Sequence, residues 1–576
     1  MSPTAAPPTG KMGGVSSPLR DLWHRRERSR RIAATGVAVL GVIGLVSAMS
    51  RPLRPRLEGL LQIVPFLVPR SAAVTLVFAS CALLLTARGL RRGHHLAWLA
   101  AIGLLSVSVV LHVVKGIDIE EAALATGAAG WLAAHRSAFP VWASRAATRR
   151  ALTRGAIGAA ATLALAVGLS ATAGRAHRRE ASAHSIAERL GTDNIFPLSF
   201  GGRSETTVLV ALALGLVAST LWVLFSPRVL EPLTGAAHQA ERERARAIVL
   251  RYGGGSLDYF ALRDDKQWFF VGHSVVAYTV RAGGCLVSPD PIGPADEHPQ
   301  TWSAFMAYAE ESGWPVTVMG AAPHWLPVYE RSGLRAVYVG DEAVVDCAQF
   351  TLEGRAMRSL RQAHHRVERA GFTVTFHDPA ALDADLQQQL VELSVLGRRG
   401  ATERGFSMTL SRLFDPLDTG LLLSVARDRA GHPQAFVQWV PARDLDGWSL
   451  DVMRRNPAHD LPNGIMDFLV IATIQHVAAT GGGGLTLNFA TMRTILSGER
   501  TGWLARLGRS ATVRASGQAQ IESLWRFNAK FGPRWAPRYI VLGSVSALPR
   551  RGLMIADAEG ITELPVVGRF FGRSTP

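Results

Sequence analysis

Residues 448–455 read WSLDVMRR, and residues 462–469 follow with PNGIMDFL. The first segment is typical of a β-strand, with Leu450 and Val452 as candidate core residues. Pro462 and Asn463 then mark the start of a helix that is predicted to span residues 464–479, with Asn463 as its N-cap. This strand and the helix that follows it indicate a domain of mixed α and β structure.

The same alternation of short apolar runs and amphipathic stretches continues through residues 235–576, which predicts an α/β or α+β domain. The predicted strands are 268–270, 274–280, 317–319, 421–426, 435–440 and 485–489. Besides the helix 464–479, the predicted helices are 236–250, 300–311, 352–370 and 384–396. A domain of this size has room for two lobes, so we divide it into 235–376 and 377–576, with the boundary in the extended stretch 371–376.

The N-terminal third has the pattern of a membrane region. A disordered basic tail, residues 1–31, is followed by apolar runs at 32–49, 71–90, 96–114, 119–134, 155–173 and 206–225. Because about 20 apolar residues cross the hydrocarbon core, these runs predict a transmembrane region over 32–226 with about six helices. The long leading tail and the later apolar runs argue against a cleaved signal peptide.

Arginines in the tail and in alternate loops place both ends of this region, and therefore the following domain, on the cytoplasmic side of the plasma membrane. Arginines in the predicted outer loops 50–70 and 174–205 run against this orientation.

Composition restricts the partners and the chemistry. The chain of 576 residues is 48% hydrophobic and carries a net charge of +17, which favours anionic lipid, nucleic acid or both as partners. Its three cysteines form no CxxC pair, so we expect neither a disulfide framework nor a zinc site. The glycine runs 253–255 and 481–484 lack the P-loop and GxGxxG patterns, and no GxSxG motif occurs. We therefore expect no cofactor and no activation of an amino acid by ATP.

Further blocks accompany the opening stretch: YGGGSLDY (252–259), KQWFF (266–270), SPDPIG (288–293), LRQAHHRVERAG (360–371), ERGFSM (403–408) and SLWRFNAKFGPRWAPRY (523–539). In order and spacing they resemble the catalytic domain of the lysylphosphatidylglycerol synthase family, the multiple peptide resistance factors. LNFATMR (487–493) is most similar to the actinobacterial branch, which includes forms fused to a lysyl-tRNA synthetase.

The resemblance implies two tandem acetyltransferase-like (GNAT) lobes, with the active site in the second. It implies transfer of an amino acid from aminoacyl-tRNA to phosphatidylglycerol, which gives resistance to cationic antimicrobial peptides. Lysine is the family default, with alanine, arginine and ornithine as further candidates. Since no synthetase segment follows in this sequence, we expect a separate enzyme to charge the tRNA.

Three residues are the predicted catalytic set. The exchange of one ester for another requires positioned substrates, deprotonation of the lipid hydroxyl and stabilisation of an oxyanion. By resemblance, Asp451 and Arg454 form an acid–arginine pair, with Arg454 on the lipid phosphate and Asp451 on the hydroxyl or the substrate ammonium. Residues three apart on a regular strand face opposite sides, so Arg454 must lie past the strand end. An ordinary salt bridge is the alternative.

Lys530, the third member, is predicted to lie near the ester carbonyl or a phosphate. The alternative is a solvated charged face beside an aromatic stripe of Phe527 and Phe531. The predicted substrate-binding residues are Glu403, Asn463, Asp467, Arg493, Glu522 and Arg526. The helix start at Asn463 suits a phosphate, and Glu403 suits the amino group of the transferred residue or a loop salt bridge.

The predicted tRNA-binding residues are Arg358, Arg361, Arg366, Arg534 and Arg538, because arginines clustered in this way contact phosphates. Contact with anionic lipid is the alternative for this cluster. His364 and His365 have no partner acid at ligand spacing, so we assign no metal site. Two other functions stay open: transfer to another lipid or a peptidoglycan precursor, and a non-catalytic membrane protein that binds anionic lipid or RNA.

Overall fold

The computed structural model describes residues 18–49, 67–116, 119–141, 232–398, 406–457, 460–491 and 525–543, with short helical pieces at 148–161, 220 and 552–558. The chain divides into two compact units. One comprises Met1–Val229 with Glu310–Trp314, and the other comprises Leu230–Ala309 with Pro315–Pro576.

The first unit is helical, with α1 (Pro18–Met49), α2 (Leu67–Arg91), α3 (His95–Gly116) and α4 (Ile119–Ala134). Small side chains let these helices approach closely, and Ala33, Ala97 and Ala101 are buried. Val46 and Val110 point outward and are about 60% exposed (62% and 60%). Two segments, Arg25–Ser47 and His95–Val113, are long and apolar enough to cross a membrane.

The first four predicted membrane segments are thus helices in the structure. The predicted segments 155–173 and 206–225 lie almost entirely outside the described residues.

The second unit is built on one eleven-stranded sheet with the order β1-β2-β3-β4-β11-β5-β10-β9-β8-β7-β6. Neighbouring strands are antiparallel except for the pairs β3–β4 and β9–β10, which are parallel. The strands are β1 (Gln267–Val271), β2 (Ser274–Arg281), β3 (Gly284–Val287), β4 (Val316–Ala321), β5 (Arg335–Asp346), β6 (Thr373–His377), β7 (Leu422–Arg427), β8 (Pro433–Ala442), β9 (Gly447–Arg455), β10 (Gly484–Thr491) and β11 (Arg534–Leu542).

The helices of this unit are α5 (Gly235–Tyr252), α6 (His298–Glu311), α7 (Leu326–Arg331), α8 (Arg358–Arg369), α9 (Ala384–Arg398) and α10 (Ile465–Ala479). In the second half of the sheet, α8 and α10 cover one face, where Leu360, Ile471 and Leu450 share a core. Helix α9 covers the other face, where Leu390 packs with Val452. We refer to these as the α10 face and the α9 face.

Every predicted strand and helix of this domain is present, with ends that differ by a few residues. Helix α8 begins only at Arg358, six residues later than predicted. The strands β3, β5 and β11 and the helix α7 were not predicted.

The predicted lobe boundary, residues 371–376, overlaps a strand of the sheet. Residues 373–377 form β6, which pairs with β7 inside the second half. The C-terminal strand β11 returns to the first half and lies between β4 and β5. We propose that the junction of the two lobes lies before α8, since α8 packs with α10 in the core of the second half.

Candidate functional site

The parallel strands β9 and β10 separate soon after they begin. Among the described residues, their pairing covers Leu485 opposite Trp448 and Thr486 opposite Ser449. Beyond these pairs β9 continues along β8, while β10 continues along β5. Ligands bind preferentially in crevices at the carboxyl ends of parallel strands. The gap between β9 and β10, which we call the strand gap, is therefore the candidate site.

A lysine–aspartate pair lies on the α10 face beside this gap. Lys530 Nζ lies 3.1 and 3.0 Å from the two carboxylate oxygens of Asp467, in the first turn of α10. The Lys530 side chain is 36% exposed and that of Asp467 is 10% exposed. Two residues earlier, Asn528 donates to the Leu487 carbonyl of β10 at 3.2 Å. The contact with Asn528 ties the segment that carries Lys530 to one side of the strand gap.

Helix α10 begins at a glycine and not at the predicted asparagine. The N-cap is Gly464, with φ of +100° and no side chain capping the first turn. A Cβ at this position would lie 2.6 Å from the Cβ of Ala363, so both the backbone and the close contact with α8 require glycine. The carbonyl of Asn463 accepts a hydrogen bond from Arg366 Nη1 at 3.0 Å. The helix start therefore has no side-chain cap, and its partial positive charge suits an anion.

Asp451 lies on the α9 face and is 3% exposed. Its carboxylate accepts hydrogen bonds from the Leu410 backbone N–H at 2.9 Å and from Gln438 Nε2 at 2.7 Å. These contacts fix the segment that begins at residue 406 against the sheet. Both carboxylate oxygens of Asp451 are thus engaged by groups of this chain.

A β-bulge at Asp451 explains how Asp451 and Arg454 lie on the same side. Gln438 pairs with Val452 and Trp439 pairs with Leu450, which leaves Asp451 as the extra residue of β9. A bulge reverses the alternation of side chains. Leu450 therefore packs in the α10-face core and Val452 in the α9-face core.

Arg454 extends over α9, where its Cδ would lie 3.3 Å from a Cβ at Gly397. The expectation that Arg454 must lie past the strand end was wrong, because Arg454 is inside β9 and the bulge supplies the change of face.

The predicted catalytic set is thus divided between the two faces of the sheet. Asp451 and Arg454 lie on the α9 face, and Lys530 lies with Asp467 on the α10 face. Of the predicted substrate-binding residues, Arg526 is exposed on the same short helical segment, 525–529, as Phe527. Glu403, Arg493 and Glu522 lie outside the described residues.

The predicted tRNA-binding arginines have unlike environments. Arg358 and Arg366 are exposed on α8, and Arg534 is exposed at the start of β11. Arg361 is half-buried and donates to the carbonyls of Leu352 and Gly354. The half-buried Arg361 side chain therefore stabilises the turn before α8 and also places a positive charge there.

Arg538 does not fit the prediction of tRNA contact, because its side chain is 12% exposed and is paired with the 3%-exposed Glu342. Its Nε and Nη2 donate to Glu342 Oε2 at 3.0 and 2.5 Å, and Nη2 also donates to Ser256 Oγ at 2.8 Å. Burial raises the pKa of Glu342, but the Arg538 guanidinium and nearby hydroxyls outweigh it and hold that pKa below its usual value. This buried pair joins β5, β11 and the 252–259 loop.

The expectation that the two histidines of α8 lack a partner acid was wrong. His364, His365 and Glu368 bring their ligand atoms within 4.8 Å of one another. Because Glu368 follows His364 by four residues, one helical turn brings it beside both rings.

Sequence reasoning also missed a cavity of about 330 Å³ in the first half of the unit. Two of the quoted blocks, YGGGSLDY and SPDPIG, line it together with β11. Its acids are Asp258, Asp290, Glu342 and Asp444. The dense glycine and proline content of both blocks was the available signal that these loops approach a shared space.

The eleven-stranded sheet and its flanking helices define an α/β domain, carried on a chain with apolar N-terminal helices. The family described as phosphatidylglycerol lysyltransferase, C-terminal, matches residues 246–542, and the chain belongs to this family.

Among similar proteins is the lysylphosphatidylglycerol biosynthesis bifunctional protein LysX of Rhodococcus jostii. It is 36% identical over 363 residues, which are 62% of this chain and 32% of that protein. The protein of the same name from Mycobacterium marinum is 37% identical over 359 residues, or 61% of this chain and 32% of that protein. The chain thus spans about a third of the length of these relatives (32%).

The solved structure of L-PGS from Bacillus licheniformis has a TM-score of 0.50 and 24% identity, covering 56% of this chain and 97% of that one. At this identity, the likeness concerns the fold alone.

Proposed function

We propose that this protein transfers an aminoacyl group, with lysine favoured, from aminoacyl-tRNA to phosphatidylglycerol. The observation that carries the proposal is the family match over 246–542, which includes the strand gap and the predicted residues Asp451, Arg454, Asp467 and Lys530. The relatives from Rhodococcus and Mycobacterium bear names that refer to lysylphosphatidylglycerol biosynthesis. The apolar segments Arg25–Ser47 and His95–Val113 support a membrane location.

In the proposed reaction, the primary hydroxyl of the lipid headgroup attacks the ester carbonyl at the tRNA 3′ end. A new bond forms between that hydroxyl oxygen and the carbonyl carbon, and the bond to the ribose oxygen breaks. The proton of the lipid hydroxyl ends on the ribose oxygen, so no further reactant is needed. The protein must bring the ester and the hydroxyl together and stabilise the oxyanion.

The distribution of charge over the two faces supports an assignment of the two substrates. Exposed Arg358 and Arg366 lie on the α10 face together with Lys530, so we assign tRNA to this face. Arg454 lies on the opposite face, and we assign the lipid phosphate to it. The strand gap is where the ester and the hydroxyl would meet.

Within this scheme, the Lys530 ammonium serves the developing oxyanion or the terminal tRNA phosphate. Its two bonds to Asp467 hold the ammonium in place beside the start of α10. Asp451 acts as a positioning residue, because both of its oxygens are engaged by Leu410 and Gln438.

We extend the proposal to the architecture and the location of the whole chain. The two halves of the sheet would be the tandem acetyltransferase-like lobes. The N-terminal helices would form a multi-pass region in the plasma membrane, with the sheet domain in the cytoplasm. Modification would make an anionic lipid cationic, which reduces attraction for cationic antimicrobial peptides.

The test is transfer by the purified full chain in vesicles that contain phosphatidylglycerol. With radiolabelled lysyl-tRNA, we expect label in the extracted lipid, and we expect none after RNase treatment or in vesicles of phosphatidylcholine alone. Labelling that survives RNase, or that needs only ATP and free lysine, would contradict the tRNA donor. Labelling of a different lipid or of a peptidoglycan precursor would contradict the acceptor.

Variants then test the assignment of faces. We expect Arg358→Ala to raise KM for lysyl-tRNA and Arg454→Ala to raise the concentration of phosphatidylglycerol needed for half-maximal rate. Arg331→Ala is the control, because Arg331 is exposed and bonds only to its own helix among the described residues. If the Arg358 and Arg454 variants affected the same substrate, the assignment to opposite faces would be wrong.

A further inference from the structure

Three side chains that commonly bind metal ions lie on one turn of α8. They belong to His364, His365 and Glu368, and their ligand atoms all lie within 4.8 Å of one another. Glu368 Oε2 lies 3.8 Å from His364 Nδ1 and 3.3 Å from His365 Nδ1. Since residues three and four apart are neighbours on a helix surface, the local backbone alone brings the acid beside both imidazoles.

The distances within this cluster are close to those between the ligands of one ion. Tetrahedral zinc binds histidine nitrogen and carboxylate oxygen at about 2.0–2.2 Å, which places neighbouring ligand atoms roughly 3.4 Å apart. The His365–Glu368 distance of 3.3 Å matches this value, and the His364–Glu368 distance of 3.8 Å exceeds it by about 0.4 Å. The side chains of His365 and Glu368 are 56% and 57% exposed, so rotation can supply this shift.

The His364 ring gives an independent indication of a bound ion. Its Nδ1 atom is buried and has no hydrogen-bond partner among the residues that the structure describes, although buried polar atoms are nearly always paired. The ring lies against Phe468 of α10, with ring centroids 5.1 Å apart, so its surroundings on that side are apolar. An ion between this nitrogen and the Glu368 carboxylate would give the nitrogen its partner.

Glu368 is the only acid of α8, and it lies in a helix with four arginines. Arg361, Arg366 and Arg369 donate to backbone carbonyls instead of to this acid. Within the described part of the chain, the Glu368 carboxylate lies within 4.0 Å of the two histidines and of no arginine or lysine. The one negative charge of the helix is therefore directed at two imidazole rings.

The donor set selects the class of ion. Two imidazole nitrogens and one carboxylate oxygen suit zinc and neighbouring transition metals, whereas Mg²⁺ and Ca²⁺ prefer sets made of oxygen alone. The arginines of α8 also disfavour a cation that is held by charge alone. Three protein ligands leave the fourth tetrahedral position open. A groove of about 610 Å³ adjoins the cluster, and His364, Glu368, Gln475 and His476 are among its lining residues.

We propose that His364, His365 and Glu368 bind one divalent transition-metal ion of the zinc class, with its fourth position open to this groove. Because all three ligands belong to one helical turn, the bound ion would stabilise the C-terminal half of α8. Arg366 lies on the same turn, so the ion would also hold the backbone that presents this arginine. No step of the proposed transfer reaction needs the ion, and the site stands or falls independently of that reaction.

Titration of the full chain in detergent with Zn²⁺, in competition with a chromophoric chelator and without an affinity tag, tests this site. We expect the unmodified chain to bind one ion at the cluster. His365→Gln and Glu368→Gln should each weaken that binding by at least about 10- to 100-fold, since loss of even an outer-shell partner typically has this effect. Both side chains are more than half exposed, so both variants should fold, and thermal unfolding without metal checks this.

His432→Gln is the matched control. His432 Nδ1 lies 3.9 Å from Asp428 Oδ1 at the same four-residue spacing, and the histidine is exposed. This pair belongs to no group of three metal-ligating side chains among the described residues. We expect the control variant to bind Zn²⁺ as tightly as the unmodified chain. The visible absorption of bound Co²⁺ gives a second measurement, which should report a four-coordinate ion in the unmodified chain and in His432→Gln only.

Equal Zn²⁺ affinities of the unmodified chain, His365→Gln and Glu368→Gln would overturn the metal site. An equal loss of affinity in His432→Gln would show that the ion binds surface histidines in general, and would overturn it as well. Displacement of Zn²⁺ by an equal concentration of Mg²⁺ would contradict the assigned class of ion. A zinc-dependent rise in the unfolding temperature that is absent from Glu368→Gln would support coordination on α8.

Discussion

Replacing Arg538 by methionine tests whether this arginine holds the fold or contacts tRNA. The guanidinium makes three hydrogen bonds at 3.0 Å or less, two to Glu342 and one to Ser256. Without it, the 3%-exposed Glu342 carboxylate keeps neutral partners, the hydroxyls of Thr486 at 2.8 Å and of Ser256. Removal of one member of a buried ion pair typically costs about 3–5 kcal/mol.

We therefore expect Arg538→Met to lower the free energy of unfolding by about 3–5 kcal/mol, because a buried charge is left without its partner. The measurement is urea unfolding of the full chain in detergent micelles, followed by tryptophan fluorescence. The double variant Glu342→Gln with Arg538→Met should regain much of this loss, since it also removes the carboxylate charge that the single variant leaves without its partner.

Arg358→Met is the control because Arg358 is exposed on α8. It should leave the unfolding midpoint nearly unchanged, within about 0.5 kcal/mol, and should weaken binding of lysyl-tRNA. An unchanged midpoint for Arg538→Met together with weaker tRNA binding would refute the reasoning from burial and restore the prediction of tRNA contact.

Two further predictions follow from single residues. The pKa of Glu342 is lower in the folded chain than in the unfolded chain, so the carboxylate contributes its full stabilisation above about pH 4.3. This stabilisation is lost as the pH falls through the pKa of the folded state. In urea titrations, the difference in unfolding free energy between the unmodified chain and Glu342→Gln should therefore shrink below about pH 4. Gly464→Ala should lower the free energy of unfolding by about 1–3 kcal/mol, through strain at φ +100° and the contact with Ala363. This loss should be larger than that of Gly431→Ala, where φ is +87° and the surrounding space is open. Equal losses in thermal unfolding would contradict the role of the contact with Ala363.

Much of the sheet domain follows from local sequence, because its central strands are buried and β-branched. Strand β2, SVVAYTVR, and strand β4, VTVMGA, are almost wholly buried, so their apolar runs predicted them well. Strand β11 was missed because it contains Pro537 and two arginines, Arg534 and Arg538, which argue against a central strand. Pro537 pairs with Asp341 of β5, and the pairing of β11 with β4 begins only at Tyr539.

At the candidate site, residue types could be read from the sequence, but their geometry could not. Lys530 and Asp467 were predicted separately, and the structure brings them together as an ion pair. The N-cap was assigned to Asn463 by its side chain, but the tight approach of α8 selected Gly464. Residue type shows which side chains can do chemistry, whereas a bulge or a helix contact depends on chain segments that are distant in sequence.

The bulge at Asp451 has a consequence for how two substrates would reach one another. In a regular strand, Asp451 would share a face with residues two positions away, and Arg454 would point toward the α10 face with Lys530. The extra residue turns Arg454 to the α9 face and leaves Lys530 on the other. Cations on both sides of the strand gap suit two anionic substrates that arrive from opposite faces, since each phosphate then has its own counter-charge. Two cations on one face would instead draw both phosphates to the same side, where the tRNA and the lipid would compete for space.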